Sequence, residues 1–216
     1  DPKVFWYEPE QKWIMIVSAD KNMRFYSSAN LKQWEYMSEF GEGFGPQPNQ
    51  FECPDFIRLP VDGDRSKMKW VMIVNINPGF VYGGSGTMYF VGDFDGHRFV
   101  CDTKPEVVKW LDWGKDHYAT VCFSNTDNRI VAVPWMSNWQ YANYTPIQQF
   151  RSANALPREL SLYTGEDKQL YLSAAPVKET ENLRKDSKKL DDFTVNGEKR
   201  FETLFENNDG AFELEL

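Results

Sequence analysis

A chain of 216 residues with 41% hydrophobic and 16% aromatic side chains carries enough apolar surface for a sizeable core, and is not a disordered segment. A formal net charge of -8 excludes a nucleic-acid surface built on clustered Lys and Arg, and favours a neutral or cationic ligand. Three cysteines, Cys53, Cys101 and Cys122, with no CxxC spacing, indicate neither a disulfide framework nor a zinc site, so no metal is expected.

In chain order, short β-branched and aromatic runs broken by Gly, Asn, Asp and Pro predict strands throughout the first three quarters. The first four are "PKVFWY", "KWIMIVSA", "MRFYSSA" and "QWEYMS"; the next four are "CPDFIRLP", "KWVMIVNI", "TMYFVGDF" and "HRFVC". Trp13 and Trp70 occupy the same place in "KWIMIV" and "KWVMIV", 57 positions apart, which marks an internal repeat. A third set, "YATVCFS", "RIVAVPW", "ELSLYT" and "QLYLSAA", is weaker and is interrupted by "MSNWQYANYTPIQQFRSANALPR". An insertion of that length inside a compact domain is usually functional.

Four-stranded units that cannot each bury two faces alone are expected to stack as β-propeller blades, with a β-sandwich as the competing architecture. Three blades fall short of the roughly four to eight that close a ring. After Pro176 the charge-rich run "VKETENLRKDSKKLDDFTVNGEKR" reads as a solvated linker with a weak helical segment, and "FETLF" and "AFELEL" beyond it read as strands of a second β domain. The expectation is therefore all-β: three propeller blades over residues 1–176, a linker over 177–200 and the start of a β-sandwich over 201–216. No apolar run approaches the roughly 20 residues of a membrane-spanning helix, and the opening Asp1-Pro2 is expected either after removal of a signal peptide or within a longer protein.

Each set opens with acid: Asp1 before the first, Glu52 before the second, Asp112 and Asp116 before the third. If innermost strands start at a shared axis, these carboxylates gather there, as pairing an ionised carboxylate with a protonated one requires. The plainer alternative is that each caps a turn beside Pro or Gly. Cys53, next to Glu52, has no histidine in a recognisable nucleophile motif: His97 lies in the turn "FDGHRF", and His117 in "GKDHYAT" is a packing residue or a substrate contact.

The ordered motifs "DPKVFW", "ECPDF", "GGSGTMYFVGDFDG", "LDWGKDHYAT", "WMSNWQYA" and "NALPREL" resemble the family 32 glycoside hydrolases, the invertase, inulinase and levanase group. The resemblance implies a five-bladed propeller continuing into a C-terminal sandwich, and exo-acting hydrolysis of β-fructofuranosyl bonds in fructans or sucrose with retention, without a cofactor. It places the acid/base on Glu52 and the transition-state stabiliser on Asp1. It also implies that Asp112 and Lys115 contact sugar hydroxyls and that Trp135 lines the pocket, their plain readings being a turn acid, a surface lysine and a core Trp; Cys53 beside Glu52 packs or shapes the pocket. The family's nucleophile lies in an "NDPNG"-type motif that these 216 residues do not contain, so the chain alone is expected to be inactive and to be three of five blades. Such enzymes are generally exported, so periplasm or cell exterior is expected. Competing readings are a non-catalytic propeller that binds sugar or protein, and a five-bladed hydrolase of arabinans or xylans.

Overall fold

The computed structural model describes residues 1–198 and 211–214 and is built almost wholly of strands. Three antiparallel meanders follow one another. The first is β1 (Lys3–Tyr7), β2 (Lys12–Ala19), β3 (Asn22–Ser28) and β4 (Glu35–Phe40). The second is β5 (Phe51–Val61), β6 (Asp64–Ile76), β7 (Gly86–Phe94) and β8 (Phe99–Cys101), and the third is β9 (Tyr118–Cys122), β10 (Ile130–Trp135), β11 (Arg158–Thr164) and β12 (Leu170–Pro176). These are the three expected sets. Blades two and three join at one parallel bridge, Leu162 beside Val61, where Asp62 accepts from both the amide and the hydroxyl of Thr164.

Period-two alternation explains the stacking. In the middle blade Phe56, Met72 and Val74 face the first blade and pack with Ile14, Ile16 and Phe25. Their neighbours Ile57, Val71 and Ile73 face the third and pack with Cys122, Leu160 and Leu162. A sheet buried on both faces needs apolar residues at every position, which is why "WVMIV" in β6 is unbroken. The flanking blades keep one face open, with Val4 and Trp6 exposed on one and Val121 and Tyr163 on the other. The first interface is aromatic: Phe25 of the first blade meets Phe56 edge-on with centroids 5.6 Å apart and stacks on Phe94 at 5.3 Å.

Asp1–Val177 form one compact unit and Lys178–Leu216 another. In the second, the expected helical segment is a 3-10 turn, Lys178–Leu183. Of the two strands expected there, residues 201–205 lie outside the described residues. Residues 211–214 are in no strand.

Candidate active site

Antiparallel pairing fixes which strand ends share a rim. Glu52 at the start of β5 pairs with Asn75 at the end of β6, and Tyr118 at the start of β9 pairs with Trp135 at the end of β10. The first turn of β5 is anchored to blade one, where Phe51 donates its amide to Asp20 O at 2.8 Å and accepts at its carbonyl from the Ser18 hydroxyl. A β-bulge then sets Cys53 and Pro54 against a single partner position, with Cys53 at φ +43°. Proline has no amide to offer a ladder, so a bulge accommodates it, and the bulge re-aims the side chains beside it.

Glu52 is half-buried and both its oxygens are held. Tyr118 donates its hydroxyl to Oε2, and Gln50 donates Nε2 to Oε1 at 3.2 Å. Tyr118 is itself buried, and burial, followed by the Glu52 carboxylate, pushes its phenol well above the usual range, so it stays a donor. It is followed by Ala119 at φ +49°, so β5 and β9 each adopt a left-handed residue next to this hydrogen bond. Asp1 joins through Cys53, whose thiol donates to Asp1 Oδ2 at 3.4 Å; burial and then Glu52 raise that thiol's pKa, which keeps it a neutral donor rather than a thiolate.

Beneath the bulge lies a buried polar chain. Asn75, fully buried, donates to Cys53 O at 2.9 Å and accepts at Oδ1 from Thr87 at 2.6 Å. Asp55, 1% exposed, accepts from the amides of Phe56 at 2.7 Å and Cys122 at 2.6 Å and pairs with Lys3 Nζ at 3.0 Å. One carboxylate thus ties the innermost strands of all three blades.

The other sequence-expected residues reach the same rim with partners of their own. Asp112 pairs with Arg158 and accepts from Gly114 N at 2.6 Å; burial opposes its ionisation, but the Arg158 hydrogen bond and His117 outweigh it and hold its pKa low. Asp116 accepts from the Tyr141 hydroxyl. Lys115 donates to Gln140 Oε1 and lies 5.7 Å over the Tyr141 ring. Trp135 is half-buried, its ring 6.2 Å from Tyr118 and 5.1 Å from Trp139. Among the described residues no three His, Cys, Asp or Glu converge as metal ligands would. Tyr118 and Asn75 were not singled out from sequence, although an Asn inside the apolar run of β6 is a signal that a strand is doing more than packing.

His117 is a packing residue, 2% exposed. Its Nε2 bonds Thr120 Oγ1 at 2.9 Å, while Nδ1 has no hydrogen bond and lies 3.5 Å from Asp112 Oδ2. Burial lowers its pKa from 6.5 to about 4, against the pull of Asp112 and with the help of Arg158. The unfolded chain therefore takes up a proton below pH 6.5 that the folded chain refuses until about pH 4. Stability is expected to fall by up to about 3 kcal/mol across that window. Thermal melts from pH 7 to pH 4 check this: the fall should be shallower in His117→Gln, and an identical slope would remove His117 as the cause.

Stacked four-stranded antiparallel blades are the arrangement of a β-propeller. The family model for the glycosyl hydrolases family 32 N-terminal domain matches residues 1–174, and the chain belongs to that family. It is 48% identical over 198 residues to a levanase of Bacillus subtilis, covering 90% of this chain and 29% of that protein. It is 40% identical over 228 residues to invertase 2 of Saccharomyces cerevisiae, covering 100% of this chain and 42% of that one. An extracellular exo-inulinase of Meyerozyma guilliermondii is 42% identical over 167 residues, covering 75% of this chain and 31% of that one. The β-fructofuranosidase of Schwanniomyces occidentalis, solved with fructosyl-erythritol, superposes with a TM-score of 0.76 at 43% identity over 82% of this chain and 35% of that one. The chain thus spans under half the length of these relatives. No helix among the described residues is long and apolar enough to cross a membrane.

Proposed function

We propose that these residues are the C-terminal three blades of an exo-acting, retaining β-fructofuranosidase that acts on fructans or sucrose. One observation carries the reading: Glu52 stands at the rim of an innermost strand with both oxygens fixed, and Cys53 links its strand to Asp1 on the next blade. A carboxyl so placed protonates the departing glycosidic oxygen, and in its ionised form later takes a proton from the attacking water. Asp1 stabilises the oxocarbenium-like transition state through the fructosyl hydroxyls. Asp112, Lys115 and Trp135 line the sugar site, and Cys53 shapes it from the bulge.

The nucleophile that retention requires, about 5 Å from the acid/base, comes from outside these 216 residues, and the chain alone does not turn over. The remaining residues, 177–200 and 201–216, lead into a second β domain. The protein works outside the cytoplasm, in keeping with the relative named an extracellular exo-inulinase.

The test is hydrolysis of sucrose, inulin and levan by the full-length protein, with the released sugar followed by NMR before it mutarotates. Fructose appearing first as the β anomer is the expected result. Binding without release would leave a sugar-binding propeller, and α-fructose would mean inversion.

A further inference from the structure

The rim that carries Glu52 also carries exposed aromatic surface. Residues 77–85 follow β6, which pairs with the Glu52 end of β5, and residues 112–117 lead into Tyr118. Tyr82 and Trp113, from these two loops, are 59% and 61% exposed, with ring centroids 6.5 Å apart. Neither ring is there to fill core. Yet Tyr82 is backed by buried Phe80 at 5.6 Å, which meets Trp110 edge-on at 4.8 Å.

The loops beneath the pair are fastened together by Asn138, which is fully buried. It accepts at Oδ1 from the amides of Ser85 at 3.2 Å and Gln140 at 2.9 Å, and donates to Ser85 O at 3.0 Å and Lys115 O at 2.9 Å. Gly84, at φ +75°, lies so close that a Cβ there would run into the Asn138 amide. One side chain thus holds the Tyr82 loop, the Trp113–Lys115 loop and the start of the long insertion in fixed register. Large apolar rings held rigidly in water, beside the polar groups of Lys115 and Gln140, form a surface ready for a ligand with both an apolar face and hydroxyls.

We propose that Tyr82 and Trp113 form a stacking subsite for a fructosyl unit of a β-fructan chain, beyond the bond that is cleaved, and that it makes the enzyme select polymer over sucrose. The inference rests on the function proposed above. Sucrose offers a single sugar beyond the scissile bond and gains nothing from a more distant platform; inulin and levan offer many. A neutral polymer also suits a surface whose carboxylate and ammonium, Asp116 and Lys115, already have partners in Tyr141 and Gln140.

The test is titration of inulin, levan and sucrose into the full-length protein carrying Glu52→Gln, so that polymer is not consumed, with binding read by affinity electrophoresis and tryptophan fluorescence. Trp113→Ala and Tyr82→Ala are expected to weaken polymer binding roughly threefold to tenfold, the range of an aromatic contact, and to leave sucrose unchanged. Trp113→Phe should keep most of the affinity. Unchanged polymer binding in both alanine variants, an equal loss for sucrose, or failure of the parent to bind either polymer would each overturn the subsite. If instead Glu52→Gln still hydrolyses while polymer binding depends on Trp113, the catalytic assignment fails and the subsite stands.

Discussion

Glu52→Gln is expected to lower turnover of the full-length enzyme by about a hundredfold to ten-thousandfold with the fold intact, since general acid/base assistance supplies rate enhancement of that size. The substitution keeps shape and volume, and the new amide oxygen can still accept from the Tyr118 hydroxyl that holds Oε2 in the parent. What disappears is the exchangeable proton. A leaving alkoxide then departs without protonation, which is the difficult part of breaking a glycosidic bond. The defect should therefore shrink with a substrate whose leaving group needs no proton, such as a fructosyl fluoride. Measured kcat on sucrose and on the fluoride, with melting temperature as the control for folding, separates the cases. Turnover of sucrose within a few-fold of the parent would remove Glu52 as the acid, and an equal defect on both substrates would make its role positional.

Most of the scaffold that places Glu52 could be read from one dimension. Alternation every two residues, and the recurrence of "KWIMIV" as "KWVMIV", are local signals, and the strands they predict form the three blades. The acid at the head of the second set was legible for the same reason: its position within a repeat unit fixes its position on the rim. What could not be read are contacts between side chains far apart in the chain. Tyr118 reaches Glu52 across 66 positions, and Asp112 meets Arg158 across 46, so neither pairing leaves a periodic trace.

Asp55 shows most directly how stability and the site are coupled, and Asp55→Ala is expected to destabilise the chain by about 3–5 kcal/mol, the range for breaking a buried ion pair from one side. Its loss leaves the amides of Phe56 and Cys122 without their acceptor and the Lys3 ammonium without its carboxylate. Lys3→Met should cost less, because the lysine is 22% exposed, and the carboxylate it leaves keeps both amide donors. Urea unfolding of the parent and both variants measures the order; a loss below about 1 kcal/mol in Asp55→Ala would mean the blades hold their alignment without it. The same tie sets the site. Asp1 lies two residues before Lys3, Glu52 three before Asp55, and Tyr118 four before Cys122, so the carboxylate that binds these three strands also fixes the heights at which their first residues meet. Asp55→Asn, which keeps an acceptor for one amide but loses the charge, should accordingly lower kcat on fructosides even at temperatures where the variant remains fully folded.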